Sequence, residues 1–168
     1  MTIAACKNNR AALLREFGAL AETAPSLKAL QQEIVTAIAA NLDAYNWAGF
    51  YMLDPADPAM LVLGPFVGAP TPHTRIPVSQ GICGAAVAGG ETVIVDDVNA
   101  DPRYLSCSIE TKSEIVVPIR FGGGADGRVV GEIDIDSHDA AAFGAEDRAF
   151  LEETARLVGA FLKRQSAK

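Results

Sequence analysis

Gly131-Glu132-Ile133-Asp134-Ile135-Asp136-Ser137 is the stretch on which the reading of this chain turns. Side chains along a strand alternate faces, so Ile133 and Ile135 point one way and Glu132, Asp134 and Asp136 the other. The isoleucines face a core; the acids face water or a pocket. Like charges at alternate positions repel, and a partly dry pocket raises their pKa values. An acid held neutral near pH 7 can donate a proton. A solvated strand face with no chemistry is the other reading, and alternation alone leaves both open.

Working outward from that strand, residues 115–121 form a second strand, joined to 128–136 by the turn Gly122-Gly123-Gly124-Ala125-Asp126-Gly127. A strand at 47–53 is closed by Asp54-Pro55; after a turn at 56–59, a strand at 60–67 pairs back as a hairpin. Residues 68–74 read as a proline-rich loop, 81–88 as a short helix bounded by glycines, and 91–95 as strand-like. The stretch 99–112 is a long irregular connection, and such connections in compact domains are often functional. Helices sit at both ends. Residues 11–22 carry Leu13, Leu14, Phe17 and Leu20; after Pro25, Ser26 is placed to cap a helix bearing Leu27, Leu30, Ile34 and Ile38. A last helix starts near residue 145 with an apolar stripe of Phe150, Leu157, Val158, Phe161 and Leu162. A mostly antiparallel sheet between terminal helices defines an α+β domain. The chain of 168 residues is read as one such domain, with N-terminal helices in 1–42, sheet, loops and final helix in 43–162, and a frayed tail in 163–168.

Composition excludes several function classes. The formal net charge of −7, with no Lys/Arg stripe, is the wrong sign for a phosphate-backbone binder. No apolar run approaches the roughly 20 residues of a membrane span, and no secretory leader is legible. Three cysteines without tight spacing argue against a disulfide-stapled secreted scaffold. A reducing cytoplasm is the expected compartment.

Two thiols remain as chemical candidates. Cys83, in Gly81-Ile82-Cys83-Gly84, opens the short helix, where the helix N-terminus favours a thiolate; its plainer reading is a small buried residue. Cys107, in Leu105-Ser106-Cys107-Ser108, lies in the irregular polar loop, seven residues before Glu114. Cys6 precedes the first helix and is read as incidental. Trp47, Gly49 and Tyr51 share one strand face and form either a pocket wall or ordinary core. A metal site built from Cys83, Cys107, His73 and His138 lacks Cys-x-x-Cys or His-x-x-x-His spacing, so no metal and no cofactor is expected. His138 is read as a surface residue.

Taken in order, Trp47-Ala48-Gly49-Phe50-Tyr51, Leu63-Gly64-Pro65-Phe66, Arg75-Ile76-Pro77, Gly81-Ile82-Cys83-Gly84, Cys107, Ser113-Glu114-Ile115-Val116-Val117-Pro118 and Asp134-Ile135-Asp136-Ser137 resemble the free methionine-(R)-sulfoxide reductases, which are stand-alone GAF domains. Each motif is weak; the ordered set, from about Trp47 to the last helix, is specific.

The resemblance implies a GAF-like fold and thiol-dependent reduction of free L-methionine-(R)-sulfoxide. It implies Cys107 as nucleophile, oxidised to a sulfenic acid, and Cys83 as the thiol that resolves it as a disulfide. Glu114, Asp134 and Asp136 would hold the substrate ammonium and assist proton delivery, and Trp47 and Tyr51 would line the pocket. Thioredoxin would be the reductant. One departure stands out: many members carry a further cysteine ten positions before Cys83, where this chain has His73. That leaves Cys83 resolving, direct attack of thioredoxin on oxidised Cys107, or impaired activity. Two rivals need none of these residues: a non-catalytic GAF sensor for a small ligand, and a dimerisation module using the terminal helices. An apolar helical pair of this kind would also support a homodimer of the enzyme.

Overall fold

The computed structural model describes residues 9–106 and 108–168. Cys6 and Cys107 lie outside the described residues.

Helix α1 (Arg10–Thr23) is capped by the Asn9 side chain, which accepts from the Ala12 amide. Pro25 interrupts the chain and α2 (Leu27–Asn41) follows, with Ser26 Oγ accepting from the Ala29 amide at 3.1 Å. Such a cap contributes about 1 kcal/mol. Strand β1 (Trp47–Asp54) turns directly into β2 (Asp57–Val67). The second strand therefore begins three residues earlier than expected, because Asp54 Oδ1 accepts from the Ala56 amide and closes a tighter turn. A three-residue strand β3 (Arg75–Pro77), not foreseen as a strand, pairs with Met60–Val62 at the sheet edge. Then come α3 (Gly81–Gly89), β4 (Val93–Val95), a single 3-10 turn (Val98–Ala100), β5 (Ser113–Arg120), β6 (Val129–Ser137) and α4 (Ala145–Ser166).

The six strands make one antiparallel sheet in the order β3-β2-β1-β6-β5-β4. Register sets its two faces. Trp47, Gly49 and Tyr51 on β1 lie opposite Asp136, Asp134 and Glu132 on β6. Glu114, Val116 and Pro118 on β5 lie opposite the same three acids from the other side. Directly opposed residues share a face, so all nine side-chain positions point to one side of the sheet.

The reverse face carries Ala48, Phe50, Ile115, Val117, Ile119, Ile133 and Ile135. It is packed by Leu13, Phe17, Leu30, Ile34 and Ile38 of α1 and α2 and by Phe150, Leu151, Val158 and Phe161 of α4. Most of the apolar stripes of the terminal helices is thus spent on the core, Leu162 excepted, each fully buried aliphatic side chain contributing about 1.5–3 kcal/mol. Tyr45 Oη donates to Asp147 Oδ1 at 2.6 Å, and Asp147 Oδ2 accepts from the Gly144 amide at 2.9 Å, which pins the start of α4 to the sheet. Residues 163–166 are helical rather than frayed, because Arg164 donates to the Ala21 carbonyl at 3.1 Å and holds the last turn on α1.

Candidate active site

The acid-bearing face is covered by α3 and by the connections around it. Trp47, Tyr51, Leu61, Ile76, Ile82, Cys83, Ala86, Val95, Val98 and Val116 form a second apolar cluster there. The solvated reading of the acidic strand is overturned. Glu132 is 0% exposed, Asp134 3%, Asp136 4% and Glu114 5%. Tertiary packing, not the strand itself, takes these carboxylates out of water.

Aromatic rings wall the same face. Trp47 stacks on Phe66 with ring centroids 5.4 Å apart and on Tyr51 at 6.3 Å. Gly49 makes this possible, since a Cβ there would run into the Trp47 ring. The Trp47 indole N–H donates to the Ala69 carbonyl at 3.1 Å, and Tyr51 Oη donates to the His73 carbonyl at 2.7 Å. Both aromatics therefore also hold the 68–74 loop over the sheet.

Two small cavities open beneath the loops. Tyr51, His73, Ile76, Cys83, Leu105, Glu114 and Asp134 are among the residues around one of about 20 Å³. Trp47, Thr71, Ser108, Thr111, Asp136 and His138 are among those around another of about 30 Å³. Asp134 and Asp136, two residues apart on one strand face, thus address neighbouring cavities. Leu105 and Ser108, on either side of the undescribed Cys107, line one each. A larger cleft of about 350 Å³ lies against α4, with Arg120, Arg148 and Arg156 in its wall. Those arginines already have partners: Arg120 donates to the Gly90 and Gly127 carbonyls, Arg148 to Glu152 and Arg156 to Glu153. That cleft presents no comparable group of buried acids.

Cys83 sits in the first turn of α3, and its thiol donates to Asp134 Oδ2 at 3.5 Å. Gly81, with φ of +73°, lets the chain enter α3 beneath Leu105, where a Cβ would come within 3.0 Å of that side chain. The expected thiolate is a correction. Burial pushes the Cys83 thiol well above its ordinary pKa, and the charges of Asp134, Glu132 and Glu114 add to it. Three nearby carboxylates outweigh one helix N-terminus of only nine residues.

The acids respond to the same dry surroundings. Burial drives Glu132 well above the usual carboxylate range, with Asp134 adding to the shift. Burial lifts Asp136 likewise, again reinforced by Asp134. Asp134 is pushed up by burial to about 6, a rise that hydrogen bonding with Glu114 and Cys83 limits. Glu132, both of whose oxygens lack a hydrogen-bond partner among the described residues, belongs to this group although the sequence does not single it out for the site. The alternation that placed it beside Asp134 was the available signal. Asp134 Oδ1 and Asp136 Oδ1 are also buried without a hydrogen-bond partner among the described residues.

Contacts place His73, Arg75 and His138. His73 is more than a missing thiol: its ring Nε2 lies 3.1 Å from the Ser106 carbonyl, linking the 68–74 loop to the loop that carries Cys107. Arg75 pairs with Asp54 at 2.9 Å on the outer edge and does not enter the cavities. His138 pairs with Glu110 at 3.5 Å on the surface, as a surface residue should, and also lies at the edge of the second cavity. Among the described residues, no helix is long and apolar enough to cross a membrane.

A six-stranded antiparallel sheet with helices on one face and a group of buried acids under α3 on the other is the architecture of a GAF domain, and a family model described as GAF domain matches residues 26–162. Relatives narrow this further. The chain is 45% identical over 113 residues to the free methionine-R-sulfoxide reductase of Saccharomyces cerevisiae, covering 67% of this chain but only 61% of that protein. It is 35% identical over 141 residues to the free methionine-R-sulfoxide reductase of Escherichia coli, covering 84% of this chain and 81% of the relative. The free methionine-R-sulfoxide reductase of Neisseria meningitidis, solved in complex with its substrate, superposes with a TM-score of 0.84 at 33% identity, covering 94% of this chain and 91% of that one. The chain belongs to the GAF domain family and, within it, to the free methionine-R-sulfoxide reductases, a group of oxidoreductases.

Proposed function

We propose that this protein reduces free L-methionine-(R)-sulfoxide to methionine, with Cys107 as the nucleophile and Cys83 as the resolving thiol. The observation that carries the reading is the group of buried carboxylates around Cys83, several of their oxygens without a hydrogen-bond partner among the described residues. Buried carboxylates call for a cation or a proton, because an isolated charge in a dry site is costly. The α-ammonium of a free amino acid supplies the cation, and a peptide-bound methionine sulfoxide has none. The Trp47–Phe66–Tyr51 wall suits a thioether or sulfoxide side chain, since sulfur against aromatic rings contributes about 0.3–1.5 kcal/mol.

The chemistry balances as two steps. The Cys107 thiolate attacks the sulfoxide sulfur while a protonated acid among Glu114, Asp134 and Asp136 delivers a proton to the departing oxygen. The protonated oxygen then passes from the substrate sulfur to the Cys107 sulfur as the bond between the two sulfurs breaks; methionine leaves with that electron pair, and Cys107 carries the oxygen as a sulfenic acid. The Cys83 thiol then forms a disulfide with Cys107; its proton joins the departing hydroxide to give water, and Asp134, already hydrogen-bonded to that thiol, mediates the transfer. A dithiol of the thioredoxin type reopens the disulfide by exchange. This cycle belongs to a reducing compartment, the cytoplasm, and sedimentation decides whether the working unit is one copy or a homodimer.

NADPH consumption with thioredoxin, thioredoxin reductase and the (R) epimer tests the reading, beside the (S) epimer and Cys107→Ser. Turnover confined to (R) and abolished in the variant is expected. Asp134→Asn is expected to raise KM more than it slows Cys107 alkylation. Reduced protein that forms no methionine from the (R) epimer would transfer the reading to a ligand sensor.

A further inference from the structure

We propose that Cys83, Glu114 and Asp134 form a site for a thiophilic divalent cation of the zinc class. Each offers one ligand atom, and the three atoms lie within 4.8 Å of one another. In a tetrahedral zinc site, Zn–S of about 2.3 Å and Zn–O of about 2.0 Å place sulfur and oxygen about 3.5 Å apart. The Cys83 Sγ to Asp134 Oδ2 distance is 3.5 Å, the edge that geometry requires. A second observation points to a ligand: Asp134 Oδ1 is buried and has no hydrogen-bond partner among the described residues, on a residue that lines the cavity. That cavity, about 20 Å³, has room for the water that would complete a fourth position, which needs roughly 10–15 Å³.

The donor set chooses the metal class. One thiolate with two carboxylates favours a borderline-soft ion such as Zn²⁺ or Cd²⁺ over Mg²⁺ or Ca²⁺, which prefer oxygen alone. Binding exchanges the thiol proton for a metal–sulfur bond and releases the proton to solvent. Sequence spacing concealed the site, because its ligands come from α3, β5 and β6 and form no short motif. The same carboxylates are those assigned above to the substrate ammonium, so the cation would exclude the amino acid; that consequence alone rests on the proposed activity.

The test is titration of the reduced, chelator-stripped full-length protein with Cd²⁺, followed by thiolate-to-metal charge-transfer absorption. One equivalent is expected, with the band retained in Cys6→Ser and Cys107→Ser, lost in Cys83→Ser, and at least tenfold weaker affinity in Asp134→Asn and Glu114→Gln. Circular dichroism identifies which carboxylate variant is folded, and either one suffices. No band in the unaltered protein, a band that survives Cys83→Ser, a band lost with Cys107→Ser, or unchanged affinity in a folded carboxylate variant overturns the site. Displacement by millimolar Mg²⁺ overturns the assigned class. In turnover assays, Zn²⁺ is expected to raise KM for the sulfoxide. A protein that gives the Cys83-dependent band but reduces nothing fails the proposed function and not the metal site.

Discussion

The Cys83 thiol donates to Asp134 Oδ2 at 3.5 Å, from the first turn of α3 to the middle of β6. A thiol that donates to a carboxylate is held in its protonated form, and burial with Glu132 and Glu114 nearby reinforces this. Alkylation of Cys83 in a Cys6→Ser/Cys107→Ser background is therefore expected to rise with pH through a midpoint above the ordinary cysteine value of about 8.5. A midpoint at or below that value would show that the helix N-terminus dominates.

Glu132 is fully buried, and neither carboxyl oxygen has a hydrogen-bond partner among the described residues. Burying such a group costs about 1–3 kcal/mol, whereas an apolar side chain of similar volume incurs no such penalty. Glu132→Met is expected to raise unfolding free energy in urea by about that amount. A loss of stability would mean that these oxygens have a partner in solution.

Gly49 lies opposite Asp134 and beneath the Trp47 ring. A Cβ at this position would strike that ring and approach the Phe66 Cβ to 3.0 Å. Overpacking of this sort costs about 1–3 kcal/mol, so Gly49→Ala is expected to lower stability by that amount and displace the indole. Trp47 is the sole tryptophan, so its fluorescence reads the displacement directly. An unchanged spectrum and an unchanged urea midpoint would contradict the packing argument.

Asp134 is lifted by burial from an ordinary 3.8 to about 6. It faces Cys83 from α3 and Glu114 from β5, with Glu132 and Asp136 on its own strand. A folded-state pKa above the unfolded one means that the native state holds more protons between those values, so stability falls as pH rises across them. The difference in unfolding free energy between Asp134→Asn and the unaltered protein, measured with chelator present, is expected to shift in favour of the variant from pH 4 to pH 6 and then level off. A flat difference would mean that Asp134 titrates normally.

Much of the fold was legible because it depends on local pattern. The Ser26 cap, the aliphatic spacing from Leu27 to Ile38 and the alternation of Glu132-Ile133-Asp134-Ile135-Asp136 each mark an element through interactions a few residues long. The short edge strand Arg75–Pro77 was not legible, since its hydrogen bonds depend on Met60–Val62 lying alongside. The frayed tail was misread for a related reason: the last turn is held by the Ala21 carbonyl, more than a hundred residues away in sequence.

The sequence by itself determined which side chains share a face, because the two-residue period of a strand admits no other arrangement once Ile133 and Ile135 are buried. It could not determine whether the opposite face was wet. That was decided by α3 and the 68–74 loop closing over the sheet, held by Tyr51 to His73, Trp47 to Ala69 and His73 to Ser106. Ionisation depends on the dielectric around a group rather than on its neighbours in the chain. Only the tertiary structure could therefore turn a row of ordinary acids into ones that hold their protons more tightly, and a helix-start cysteine into a neutral thiol.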